Sequence, residues 1–182
     1  MNYIAITGAL HAIGTKDRPV PPLNLVGDFG GGAMYLALGL LAGLLHARAT
    51  GQGQVIDAAM SDGAASLMAA FYGHMAGNRW TDERESNGID GGAPYYGVYP
   101  CQDGKWVAVG AIEPQFFSIL LDKLGISDFP KARQLDRTLW PGLRSRIAAA
   151  FLSQPRAFWT ERMEGSRSEE HTSELQSRET IS

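Results

Sequence analysis

The chain has 182 residues, 45% of them hydrophobic and 19% charged, enough for a packed core and against global disorder. A net charge of -3 gives no electrostatic reason to expect nucleic acid or an anionic membrane as partner. The single cysteine, Cys101, excludes an internal disulfide or a cysteine metal cluster and points to a reducing, cytoplasmic home.

The N-terminus, MNYIAITGAL, has neither a basic segment nor a long apolar run and does not read as a signal peptide. Residues 1–29 read as irregular, punctuated by Gly8, Gly14, Pro19, Pro21 and Pro22. From Ala33 to Arg48, leucines on nearly all sides predict a helix buried all round. Its length would allow a membrane span, but its internal glycines and the lack of a flanking Lys/Arg cluster favour a core helix. Gly51 to Gly53 reads as a turn, QVIDAAM as a short strand or extended segment, and Gly63 to Met75 as a second apolar helix.

Residues 78–94 are a polar, glycine-containing connection, and a domain boundary is placed at its end. YYGVYPCQDGKWVAVGAI predicts two strands around Asp103-Gly104. Cys101 reads as a buried, inert thiol in the first of them. EPQFFSILLDKLGI is an amphipathic helix with Phe116, Phe117, Leu120, Leu121 and Leu124 on one face and Gly125 closing its C-terminus. Two further helices are expected, about Leu139 to Leu152 and Pro155 to Met163. From Arg167 onward the composition reads as a disordered tail. RSEEHTSELQS also resembles the translation of a sequencing adapter, so residues 167–182 are set apart from the fold as an artefact.

Two carboxylates stand out. Asp28, in PPLNLVGDFGGG, lies between glycines just before the long apolar helix, where the helix dipole favours its ionised form. Gly30, Gly31 and Gly32 would let backbone N–H groups approach a ligand. A carboxylate beside such donors suits proton abstraction next to a carbonyl, the donors holding the enolate oxygen. The simpler alternative is that Asp28 caps the helix. Glu113 ends an apolar strand before Pro114; it is a second candidate, with helix capping again the simpler alternative. His11, His46, His74 and His171 match no catalytic or metal-binding spacing, and no metal site is expected.

NYIAITGAL, PPLNLVGDFGGGAM, GQGQVIDAAMSDG, DGGAPYYGVYPCQDGKWVAVGAIEPQFF and LLDKLGI together resemble the α-methylacyl-CoA racemase branch of the CaiB/BaiF, or family III, CoA-transferases, over roughly Asn2 to Ser166. The resemblance implies an α/β fold. Residues 1–94 would be the end of a large Rossmann-like domain with its linker, and residues 95–166 the start of a small domain; complete members form an interlocked homodimer. It implies an acyl-CoA thioester as substrate and no cofactor. The implied reaction is 1,1-proton transfer at the carbon beside the thioester. Carried over, Asp28 is one acid/base group and Glu113 orients its partner, a histidine. Asn24 matches a polar residue near the site, and Asn2 and Tyr3 the end of a substrate-contacting segment; Gly30 and Gly31 are taken as substrate-binding on their backbone N–H groups. The partner histidine would precede Met1. The chain is therefore expected to be truncated at both ends, to aggregate on expression and to be inactive as it stands. Two alternatives remain: a family III CoA-transferase with Asp28 as nucleophile, and a non-catalytic dimerisation or binding module.

Overall fold

The structure is a computed structural model that describes residues 1–164. The expected disordered tail, with His171, lies outside the described residues. The chain forms two compact units, Met1–Glu85 and the residues from Ser86 onward.

In the first unit, residues 1–29 are more ordered than the glycines and prolines suggest. Helix α1 spans Asn2–Ile6 and α2 spans Ala9–Ala12, with Gly8 between them at φ 74°. Ile4 and Ala9 supply the apolar contacts that hold these short helices, packing with Ala64 and Met68. A π-helix, Leu25–Ala33, follows and runs without a break into α3, Met34–Thr50, which Gly51 ends in the left-handed conformation at φ 73°.

Glycine decides how the π-helix packs. A Cβ on Gly63 would fall inside the Gly31 carbonyl, and one on Gly31 would come within 2.7 Å of the Ala64 nitrogen. Two backbones thus meet directly, as only glycine allows. They join the π-helix to α4, Met60–Leu67. The single helix expected from Gly63 to Met75 is two: Met68 closes α4 and opens α5, Ala69–Ala76.

One expectation is corrected here. Helix α3 is not buried all round: Met34, Leu38, Leu41 and Leu45 are each more than half exposed. One side is covered, where Gly39 and Gly43, four residues apart, make room for Ile56. QVIDAAM takes the second of its two expected forms, an extended segment without a ladder partner, and enters α4 through an extended Ala59. The continuous helical run Leu25–Thr50 is long and apolar enough to cross a membrane by length and composition.

The second unit opens on a tight loop. The Asp90 carboxylate accepts from the N–H groups of Ser86, Asn87 and Gly92 and from the Asn87 carboxamide. Arg144 donates to the carbonyls of Gly91 and Gly92. The predicted hairpin follows: β1, Tyr96–Pro100, pairs antiparallel with β2, Trp106–Gly110, with Tyr96 opposite Gly110 and Pro100 opposite Trp106. These are the strands of the described residues, joined in one sheet.

Helix α6, Pro114–Lys123, presents Phe117, Leu120 and Leu121 to the core. It ends as the sequence predicts. Gly125 sits at φ 72°, Ile126 N–H donates to Leu121 O at 2.8 Å, and Gly125 N–H donates to Asp122 O at 3.1 Å. This is the paired-bond glycine termination that satisfies the last carbonyls of a helix. Short 3-10 turns at Lys131–Arg133 and Arg137–Leu139 lead to α7, Trp140–Leu152, and α8, Arg156–Met163. Tyr99 stacks on Phe151, and Trp159 meets Phe151 edge-on.

Two outcomes follow from this packing. Gly63→Ala is expected to destabilise the first unit by more than about 3 kcal/mol, because the new methyl meets backbone that cannot yield; urea unfolding measures it. Tyr99 is buried and donates to Pro94 O at 2.5 Å. Burial pushes its phenol up to about 12, an effect the nearby Arg144 partly offsets. The neutral form is favoured in the fold, so this stabilisation is complete below pH 10 and is lost as pH rises from 10 to about 12. The loss is about 2–3 kcal/mol, and Tyr99→Phe removes that slope from an alkaline unfolding series.

Candidate active site

Asp28 lies in the first turn of the π-helix and is exposed. It is not the cap: Asn24 holds that position and makes no side-chain capping bond. A π-helix closes i to i−5, as in the 3.1 Å bond from Phe29 N–H to Asn24 O. The first-turn carboxylate faces the positive end of the helix dipole.

Gly31 is buried against Gly63, and a Cβ on Gly30 would meet Leu67 of α4 at 3.2 Å. Both glycines therefore serve close packing, a role the sequence reading did not assign them. Helix α1 lies alongside, since a Cβ on Gly27 would meet Ile4 at 3.3 Å. Asn2 and Tyr3 are exposed at its start. The first unit thus brings Asn2, Tyr3, Asn24, Asp28, Gly30 and Gly31 onto two neighbouring helices.

Glu113 belongs to the second unit. It is the N-terminal residue flanking α6, with extended φ −72° and ψ 141°, but its side chain makes no capping bond. Its carbonyl accepts from Phe117 N–H at 2.9 Å. The residue is half-buried and its Oε2 is shielded from solvent.

Sequence reasoning missed two clusters. Arg84, within the connection taken as merely polar, donates to the carbonyls of Thr15 at 2.6 Å and His11 at 3.0 Å. His11 Nε2 lies 3.3 Å from Asp82. These contacts tie the loop after α2 to the segment after α5; the clustering of Asp82 to Glu85 was the available signal. The other is Gln134, a buried polar residue that bonds to the chain just before Glu113. No local pattern marks it. Cys101 is buried and burial pushes its thiol pKa up, as expected for an inert cysteine. Among the described residues no group of three His, Cys, Asp or Glu could hold a metal ion.

The sequence profile of CoA-transferase family III matches residues 1–169, and the chain belongs to that family of enzymes. The α-methylacyl-CoA racemase of Mus musculus is 39% identical over 166 residues, which are 91% of this chain and 44% of that protein. The L-carnitine CoA-transferase of Proteus sp. is 34% identical over 144 residues, 72% of this chain and 33% of that protein. The crystal structure of Rv3272 from Mycobacterium tuberculosis superposes with a TM-score of 0.66 at 21% identity, over 89% of this chain and 42% of that one. The fold is therefore part of a family III fold, and the chain spans less than half the length of these relatives.

Thiol labelling checks the buried cysteine: Cys101 is expected to react with an aromatic disulfide reagent only as the second unit unfolds.

Proposed function

We propose that this chain supplies Asp28 and Glu113 to a racemase acting on 2-methylacyl-CoA thioesters. The observation that carries the reading is the exposed Asp28 carboxylate in the first turn of a helix that glycine packing holds against α4. The 39% identity to a racemase across 91% of the chain supports it.

In the proposed reaction the Asp28 carboxylate takes the proton from the carbon beside the thioester. The C–H electron pair moves into the thioester carbonyl and gives an enolate. A second acid, the histidine that the family resemblance implies before Asn2, returns a proton to the opposite face. The thioester itself makes the proton removable, so the reading needs no cofactor. Glu113 orients the histidine. Asn2, Tyr3 and Asn24 contact substrate, and Gly30 and Gly31 set where Asp28 stands by packing against α4. Residues 1–94 and 95–166 contribute to the large and small domains of an interlocked homodimer in the cytoplasm, without nucleic acid or membrane as partner.

The identity to L-carnitine CoA-transferase favours one other reading, in which Asp28 attacks the thioester carbonyl, forms an acyl-aspartyl anhydride and releases the CoA thiolate. Incubation with acyl-CoA and hydroxylamine separates the two, because only the anhydride yields a hydroxamate.

Proton NMR in D2O tests the racemase reading. A protein that includes the histidine-bearing segment is expected to exchange the α-proton and racemise the thioester. Asp28→Asn should slow this by about 10²–10⁴-fold and Glu113→Gln by at least about tenfold. The 182-residue chain alone should give no racemisation. Unchanged exchange in Asp28→Asn overturns the reading, and a clean racemisation curve from the chain alone overturns the expected inactivity.

A further inference from the structure

We infer that Gln134 is the positioning residue for Glu113. Its buried carboxamide fixes the strand-to-helix corner on which Glu113 stands. The inference rests on the proposed site role of Glu113.

The corner has a backbone problem that sequence alone does not reveal. Strand β2 ends at Gly110 and α6 begins at Pro114. Ala111 is still tied to the hairpin, its N–H donating to Tyr95 O at 2.9 Å. The carbonyls of Ala111 and Ile112 lie past the last ladder pair, Tyr96 with Gly110. Ala111 is 1% exposed, and a buried carbonyl left unbonded is costly. Gln134 Nε2 donates to both, at 3.2 Å to Ala111 O and 2.8 Å to Ile112 O. A carboxamide nitrogen carries two hydrogens, so these two bonds use its full donor capacity and fix its rotation.

Gln134 is itself held. It is 4% exposed; its N–H donates to Lys131 O at 3.2 Å and its carbonyl accepts from Trp140 Nε1 at 2.9 Å. The Trp140 ring meets Tyr95 edge-on at 5.9 Å. Tyr95, Ala111, Gln134 and Trp140 therefore form a closed circuit of contacts. Arg133 and Thr138 both bond to Asp136, which pins the turn that delivers Gln134. Glu113 is then clamped on both sides: upstream by Gln134 on Ile112, and downstream by the first bond of α6, from Phe117. Side-chain direction at the corner follows from the backbone so fixed.

The test uses a protein that includes the histidine-bearing segment, with carbon-13 in the glutamate carboxyls, reading the Glu113 signal against pH. Gln134→Leu keeps the bulk and removes both donors. It is expected to move the Glu113 carboxyl shift and its titration midpoint away from wild type. Ile147→Val, which only trims the core of the second unit, is expected to leave both in place. Trp140→Phe keeps an aromatic ring but loses the Nε1 donor; a smaller displacement in the same sense is expected. That variant decides the matter where Gln134→Leu does not fold. A Glu113 signal that stays at its wild-type position in the folded Gln134 or Trp140 variant overturns the inference. This outcome is separate from the fate of the functional reading, which fails instead when Glu113→Gln racemises at the wild-type rate.

Discussion

The first unit depends on a contact between two backbones. Where Gly31 meets Gly63, the π-helix and α4 approach more closely than any side chain would permit. That approach fixes the helix carrying Asp28, and Ile4 and Met60 close around Gly27 on the same helix. Close packing against stable neighbours holds a π-helix that hydrogen-bond geometry alone would not favour. The run of glycines is therefore structural before it is chemical. Its contribution to a substrate site comes through where it puts the carboxylate, and the backbone N–H groups need not touch a ligand for the motif to matter.

The second unit relies on a different device. Its core is aromatic, with Tyr95, Phe117, Trp140 and Phe151 sharing edge-on and stacked contacts. Its polar groups bridge places where the regular elements stop: Asp90 in the entry loop, and Gln134 at the strand end. Both satisfy backbone groups that helix and ladder leave unpaired.

Legibility in the sequence followed the range of the forces. The hairpin around Asp103-Gly104, helix α6 and its closure at Gly125 are set by neighbours a few residues apart, and all three were readable. The family resemblance pointed to Asp28 and Glu113, where spacing alone left helix capping as an equal or better explanation. The π-helix was not readable, because its period is imposed by α4 from more than thirty residues away. Exposed leucines on α3 escaped notice for a related reason: composition reports that a helix is apolar, not what covers it. Gln134 was invisible because its partners, Ala111 and Ile112, lie 23 and 22 residues upstream. A lone glutamine carries no period.

The π-helix also bears on how this segment could change over evolutionary time. Its bonds reach back five residues, so losing one residue between Leu25 and Ala33 would let the stretch relax to ordinary α-helical spacing at little local cost. The same deletion would swing Asp28 around the helix axis relative to Gly31 and the seam with α4. Length, as much as composition, is thus under constraint across these nine residues. Related proteins that keep this seam should tolerate side-chain changes at exposed positions of the segment far better than a gap of a single residue within it.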